Sequence, residues 1–276
     1  MIEPIIQPKE LVALAQTSEI VIVDAGAGIS YATQHLKGAV HADLNNDLAA
    51  VPGDAANGGR HPLPVPEVFA QTLGRLGITP QSHVVVYDDQ GGALAAARFW
   101  WMLRAAGHDK VQVVNGGLNA AAKAGFTLSD LVEMPVPTAP YPFVSWHLPM
   151  AVIGEVAKAA SDESHIVIDV RDSARYRGET ETIDAVAGHI PGAVNIPYAT
   201  NLDTDGLLLS PLELRDKYMA ELETVTPENA IVHCGSGVTA CHTLLAMAYA
   251  GLPIPKLYVG SWSEWSRSGR EIAAGN

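Results

Sequence analysis

The sequence predicts an α/β protein built twice, as two similar halves in which parallel strands are covered by helices. Three observations point there. Short β-branched runs alternate with helical patterns, the order that parallel sheets with crossover helices require. Segments of the first half recur in the same order in the second: VIVDA (21–25) with IVIDV (166–170), HLKGAV (35–40) with HIPGAV (189–194), and NGGLNAAAKAG (115–125) with VGSWSEWSRSG (259–269). The length of 276 residues, at about 150 per domain, accommodates two domains.

Along the first half, 20–23, 84–86 and 111–114 read as buried strands. The segment 92–106 is the most apolar helix candidate. Arg98 and Arg104 interrupt it, and it falls short of the ~20 apolar residues of a membrane span, so it reads as a core helix. From 128 to 150 the chain carries Pro135, Pro137, Pro140, Pro142 and Pro149 and shows no periodicity, which marks a linker between domains at 1–127 and 151–276. In the second half, 166–168, 231–232 and 257–259 take the matching strand places, and 239–250 continues as an apolar helix.

Composition narrows the function. Seventeen Lys and Arg against 30 Asp and Glu leave a formal charge of −13, which disfavours nucleic acid and anionic membranes as partners. An anionic substrate would therefore need a local basic pocket. Hydrophobic residues make up 48% and charged ones 17%, the profile of an ordinary globular protein. Two cysteines within eight residues form no disulfide framework, and the start MIEPIIQPKELVAL lacks the pattern of an export signal. A cytoplasmic protein is expected.

The halves diverge at HCGSGVTACHTLLAMAYAGL (233–252), where a strand gives way to a glycine-bearing loop and then a helix. Gly235 and Gly237 permit backbone angles that turn successive N–H groups inward, and the helix N-terminus adds partial positive charge. Both effects favour the thiolate of Cys234, the form that acts as a nucleophile. Burial as a small hydrophobe is the alternative, and the loop argues against it. Cys241 belongs to the apolar helix, where packing is its expected role and a resolving thiol the alternative. In the first half Asp88 stands in the place of Cys234, so that half is expected to be catalytically silent. A cysteine phosphatase would need an Arg six residues after the nucleophile, where the chain has Ala240. The pairs His233–Cys234 and Cys241–His242 lack the spacing of a zinc site, and neighbouring helix residues point to different sides.

On CGSGVTACH (234–242), GSWSEW (260–265), GHIPGAV (188–194), RYRG (175–178), FWWMLR (99–104) and NGG (115–117), nearly the whole chain resembles the tandem rhodanese family. These are two-domain sulfurtransferases acting on thiosulfate or 3-mercaptopyruvate. The resemblance implies two rhodanese-like domains, each a mainly parallel five-stranded sheet with helices on both faces, the first inactive and the second catalytic. It makes Cys234 the sulfur acceptor that becomes a persulfide, held by the backbone of Gly235, Ser236, Gly237, Val238 and Thr239. A thiol, or cyanide in the test tube, then removes the sulfur, and a thioredoxin-like protein is a candidate acceptor. The resemblance implies no metal or organic cofactor, and by analogy a monomer.

Arg175 matches the family's substrate-anion arginine, the alternative being a surface ion pair with Glu179; Arg171 and Arg177 are weaker candidates. Asp169 ends a strand, as Asp24 does, and reads as structural. The loop CGSGVT resembles the mercaptopyruvate branch. That branch usually carries a second substrate arginine before GHIPG, and GETETIDAVAGHIPG (178–192) has none, so the donor stays open between 3-mercaptopyruvate and thiosulfate. For the Ser-His-Asp relay proposed for that branch, Ser236 and His61 of GGRHPLP (58–64) stand at matching places. The Asp position falls on Asn45, with Asp43 and Asp47 nearby. His61 reads equally as a loop-capping histidine, and His233 as packed. A non-catalytic sulfur carrier or regulatory binding module is the alternative function.

Overall fold

The computed structural model describes residues 2–275. The chain divides into two compact units. The first runs up to Ala50 and resumes over Leu63–His147; the second comprises Val51–Pro62 and the chain from Leu148 on. The division read from the sequence kept 51–62 in the first half.

The first unit contains β1 (Ile5–Ile6), α1 (Pro8–Thr17), β2 (Val21–Asp24), α2 (Gly28–Thr33), β3 (His35–Leu36) and β4 (Val40–His41). It continues with α3 (Pro66–Arg75), β5 (Val84–Tyr87), α4 (Ala95–Ala105), β6 (Val111–Val114), α5 (Gly117–Lys123) and β7 (Leu128–Ser129). Five strands form one parallel sheet in the order β1-β6-β5-β2-β4, with Val21 opposite Val84 and Val84 opposite Val111. Every residue of β5 is buried. Because strand side chains alternate between faces, Val85 and Tyr87 join Leu11 of α1 and Ala121 of α5 in one core, while Val84 and Val86 point to the other face. There α4, buried along its length except at Arg104, packs on β5 and β6. This two-sided burial explains why the strands read as unbroken apolar runs.

The proline-rich stretch after 127 folds back on this unit rather than hanging free. Leu128–Ser129 pairs antiparallel with His35–Leu36. Thr138 and Tyr141 donate backbone N–H bonds to Gly74 and Ala70, and His147 donates to Ala105. Phe143 and Trp146 pack their rings against Phe69.

The second unit contains α6 (Ile153–Ala159), β8 (Ile166–Asp169), α7 (Ser173–Tyr176), β9 (Val194–Asn195), α8 (Pro211–Leu222), β10 (Ala230–His233), α9 (Ala240–Tyr249), β11 (Lys256–Leu257) and α10 (Ser261–Trp265). Its parallel sheet has four strands, in the order β11-β10-β8-β9, where the sequence predicts five. The missing strand is reduced to one parallel bridge between Met150 and Leu257. Ala151 donates to Leu257 O (3.0 Å) and Leu257 donates to Pro149 O (3.1 Å), but Pro149 has no N–H with which to extend the ladder. On one face Val167 and Ile231 pack with Val156 of α6 and with Trp262 and Trp265 of α10. The alternate residues Ile168 and Val232 are fully buried on the opposite face, where α9 packs on β10. Helix α8 begins with a capping box: Glu213 accepts the Ser210 N–H while its own N–H reaches Ser210 Oγ, and Pro211 needs no partner.

Among the described residues no helix is long and apolar enough to cross a membrane.

Candidate active site

Cys234 follows directly on β10 and opens the loop into α9; at 2% exposed it is buried, where the sequence argues against burial. Two contacts from α10 set that loop's shape. The N–H groups of Trp262 and Ser263 bind the carbonyls of Cys234 (3.0 Å) and Gly235 (2.9 Å), which turns the following peptide N–H groups away from α10. Ser261 Oγ accepts the Cys234 N–H at 3.2 Å and donates to Tyr258 O at 2.9 Å. Ser261 holds this place at φ 53°, a left-handed conformation that costs a non-glycine residue energy and marks a constrained position. Gly237 has φ +74°, and a Cβ there would lie 2.5 Å from Val259 O, so only glycine fits.

The backbone N–H groups of Gly235, Ser236, Val238 and Thr239 reach no acceptor among the described residues. Close behind them starts α9, ten residues long, whose N-terminal dipole favours negative charge.

Ser236, 6% exposed, brings its Oγ to 2.8 Å from His61 Nδ1. The sequence pairs these residues only through resemblance; the fold joins them because 51–62 belongs to the second unit. The acidic turn at 43–47 is engaged locally: Asp43 Oδ1 accepts the N–H groups of Asn45 and Asn46, and Asp47 accepts that of Asp43 and pairs with Arg75.

Arg175 lies beside Gly235, with its guanidinium nitrogens 3.6 and 3.7 Å from where a Cβ on that glycine would stand. Its expected alternative partner, Glu179, pairs instead with Arg177. Arg175 forks onto Glu181 through Nε and Nη2 (3.1 and 2.8 Å) and reaches Asp184 at 3.3 Å. Asp184, its side chain fully buried, also binds Arg60 and, at 3.3 Å, Arg267. Arg171, 1% exposed at its side chain, forks onto Asp169, donates to Gly188 O (2.7 Å) and stacks over the Trp262 ring. Asp169, at the end of β8, is thus buried and engaged by Arg171.

Four guanidiniums and three carboxylates make up this network, leaving one positive charge near the loop of a chain that is strongly negative overall. Burial works against ionising Glu181, but the N–H groups of Asp184 and Ile183 and the Arg175 guanidinium outweigh it and hold its carboxyl below the usual range. Burial likewise opposes ionisation of Asp169, and the Arg171 guanidinium forked onto it outweighs that and keeps its carboxyl low. His233 is fully buried, and that burial pushes its imidazole down toward the neutral form. Cys241, also fully buried, sits on α9 with its Sγ 3.4 Å from Gly237 O. Among the described residues no group of three His, Cys, Asp or Glu side chains is placed to hold a metal ion.

Arg60, Glu181, Asp184 and Ser261 were not singled out from the sequence. Ser261 lies in the GSWSEW motif, which was a signal. Arg60 adjoins His61 but is 124 residues from the carboxylate that it binds.

The equivalent loop of the first unit is built differently. Asp88 follows β5 as Cys234 follows β10, and its carboxylate accepts four backbone N–H groups of its own loop. Gln90 (2.9 Å) and Gly92 (2.7 Å) bind Oδ1, and Leu94 (3.0 Å) and Ala96 (3.1 Å) bind Oδ2. The loop's donors are thus already occupied by the Asp88 carboxyl, which burial pushes up despite those four N–H groups. The adjoining cavity, about 370 Å³, is lined by Asp43, Asp88 and Asp89 and so repels anions.

Comparison with known proteins agrees with this architecture. The family model described as "Rhodanese-like domain" matches twice, over residues 7–124 and 153–268. A probable 3-mercaptopyruvate sulfurtransferase of Pseudomonas aeruginosa is 40% identical over 247 residues, 88% of this chain and 85% of that protein. The thiosulfate sulfurtransferase of Bos taurus is 36% identical over 239 residues, 85% of this chain and 78% of that one. The crystal structure of a 3-mercaptopyruvate sulfotransferase from Escherichia coli superposes with a TM-score of 0.75 at 32% identity, covering 95% of this chain and 100% of that one. The chain therefore belongs to the rhodanese family, as a tandem-domain sulfurtransferase.

Proposed function

We propose that this chain moves sulfane sulfur from a small anionic donor, 3-mercaptopyruvate or thiosulfate, to a thiol through a persulfide on Cys234. The observation that carries the reading is the loop that Cys234 opens: the N–H groups of Gly235, Ser236, Val238 and Thr239 reach no acceptor among the described residues, and the Arg175 guanidinium stands beside it. The Cys234 thiolate attacks the donor's outer sulfur. With thiosulfate the S–S bond breaks and sulfite leaves with the bonding pair; with 3-mercaptopyruvate the C–S bond breaks and pyruvate leaves as its enolate, which takes up one proton. The terminal sulfur of the new persulfide carries negative charge toward the N–H groups of Gly235, Ser236, Val238 and Thr239, which stabilise it. A thiolate acceptor then attacks that sulfur and regenerates Cys234, in a two-step cycle.

In this reading Arg175 binds the donor's carboxylate or sulfonate, and Ser236 with His61 handles the proton that the pyruvate leaving group needs. The catalytic domain is 151–276 with 51–62 folded onto it. The domain at 1–127 is silent because Asp88 fills its own cradle, and 128–150 joins the two. The pairing of Ser236 with His61 favours 3-mercaptopyruvate, since sulfite needs no proton on carbon to leave. Acceptors are small thiols or a thioredoxin-like protein.

Steady-state kinetics with both donors side by side, coupled to the mass of the donor-treated protein, tests the reading. Turnover with at least one donor and a mass gain of one sulfur atom on Cys234 are expected. Turnover without that gain would exclude the covalent cycle.

A further inference from the structure

A second arginine stands at the same loop, contributed by a distant part of the chain. Arg60 lies in 51–62, and this segment is tied to the α10 region. Gly58 N–H binds Glu264 Oε1 (3.1 Å), and Arg60 N–H binds Ser263 Oγ (3.0 Å). Gly59, at φ +85°, lies so close to the Gly260 backbone that no side chain could fit. Anchored in this way, Arg60 places Nη2 3.4 Å from the point where a Cβ on Gly235 would stand, slightly nearer than either nitrogen of Arg175.

The two guanidiniums converge on one spot with donor capacity to spare. Arg60 gives Nη1 to Asp184, and Arg175 gives Nε and Nη2 to Glu181 and Asp184. Among the described residues no carboxylate takes Arg60 Nη2 or Arg175 Nη1. Two like charges this close repel, and buried Asp184, which binds both together with Arg267, offsets that repulsion and fixes their separation. Such a paired, pre-oriented set of N–H donors suits one group with several acceptor oxygens.

We infer that Arg60 is the second guanidinium of the donor site and, with Arg175, grips the carboxylate or sulfonate head of the sulfur donor in front of Gly235. The inference rests on the sulfur-transfer reading above and adds its specificity. The pair selects donors whose leaving group is an oxyanion, and it acts on loading of Cys234 rather than on discharge, by which time that group has departed.

The test measures KM and kcat for 3-mercaptopyruvate and thiosulfate, single-turnover loading of Cys234, and discharge of the loaded protein by dithiothreitol, in the parent, Arg60→Ala and Arg60→Lys. Arg60→Ala is expected to raise donor KM about 10- to 100-fold, as the loss of a charge-assisted hydrogen bond does, with discharge changed less than about twofold. Arg60→Lys should recover part of the loss, because it keeps the charge but not the fork. Unchanged KM in a loading-competent Arg60→Ala protein would overturn the inference alone. So would equal losses in loading and discharge, which would mean that Arg60 merely holds the loop. A parent protein that never forms the Cys234 persulfide would overturn the sulfur-transfer reading, and the role of Arg60 with it.

Discussion

His61 Nδ1 stands 2.8 Å from Ser236 Oγ, joining residues 175 positions apart in the chain at the rim of the loop that Cys234 opens. On the proposed cycle the contact is expected to matter differently for the two donors, because an enolate leaving group must gain a proton and sulfite need not. His61→Gln and Ser236→Ala are expected to lower kcat with 3-mercaptopyruvate by about 100-fold, and with thiosulfate by less than about threefold. Parallel kcat measurements with the two donors check this. Equal losses would assign the pair to loop shape instead of proton transfer.

The two cysteines should separate cleanly. Cys234→Ala is expected to abolish sulfur transfer and persulfide formation while the protein stays folded. Cys241→Ala should keep most of the activity and cost about 1–2 kcal/mol of stability, since it opens a small cavity in a fully buried helix face. Activity assays with circular dichroism and urea melts of both variants decide it; turnover by folded Cys234→Ala protein would end the mechanism.

Much of this fold is legible because both faces of each sheet are covered, so 84–86, 166–168 and 231–232 stand out as apolar runs within the strands Val84–Tyr87, Ile166–Asp169 and Ala230–His233. What escaped notice was short or non-local. A strand reduced to one Met150 bridge, or a two-residue pairing such as Leu128–Ser129 with His35–Leu36, carries no periodicity. The glycine loop singles out Cys234 in the sequence because loop chemistry is local, and the structure places that residue, 2% exposed, at the end of β10. The ion pairs did not follow sequence spacing: Arg175 passes over Glu179 to reach Glu181, and Arg60 meets Asp184 only after the chain between them has folded.

Arg175 is expected to matter for the donor half-reaction. Arg175→Ala should lower kcat/KM for either donor by roughly 10- to 100-fold, corresponding to ~1.5–3 kcal/mol for a lost charge-assisted hydrogen bond. Arg175→Lys should restore only part, because an ammonium cannot reproduce the fork that Glu181 now receives. Single-turnover loading and discharge rates check the assignment. Full activity in Arg175→Ala would leave the residue as an ion-pair partner of Glu181 and Asp184 only.

Asp88 should be worth stability and nothing in turnover. Asp88→Asn replaces one carboxylate oxygen by an NH₂ group that faces two N–H donors, so about 1–3 kcal/mol of stability is expected to vanish, the cost of leaving buried N–H groups without an acceptor. Because the Asp88 loop lies away from Cys234 in sequence and in its own unit, the activity per folded molecule should hold. Urea unfolding together with kcat at a temperature where the variant is folded tests both halves. An equal drop in kcat would show that the first unit takes part in catalysis.

His242 supplies the pH dependence. It is buried on α9, with its ring edge-on to Tyr198, and burial, aided by the Lys217 ammonium, pushes its imidazole down from 6.5 to about 4. The folded-state value lies below the unfolded one, so the unfolded chain binds more protons between them and stability falls as the pH drops through that window. The two values imply a loss of about 2 kcal/mol from this residue between pH 7 and pH 5. His233, whose burial acts in the same direction, contributes to the parent and to a His242 variant alike. His242→Gln is therefore expected to lose about 2 kcal/mol less than the parent over that interval, whatever its stability at pH 7. Urea midpoints of both proteins at the two pH values measure the difference. Identical pH slopes would mean that the His242 imidazole can accept its proton without unfolding.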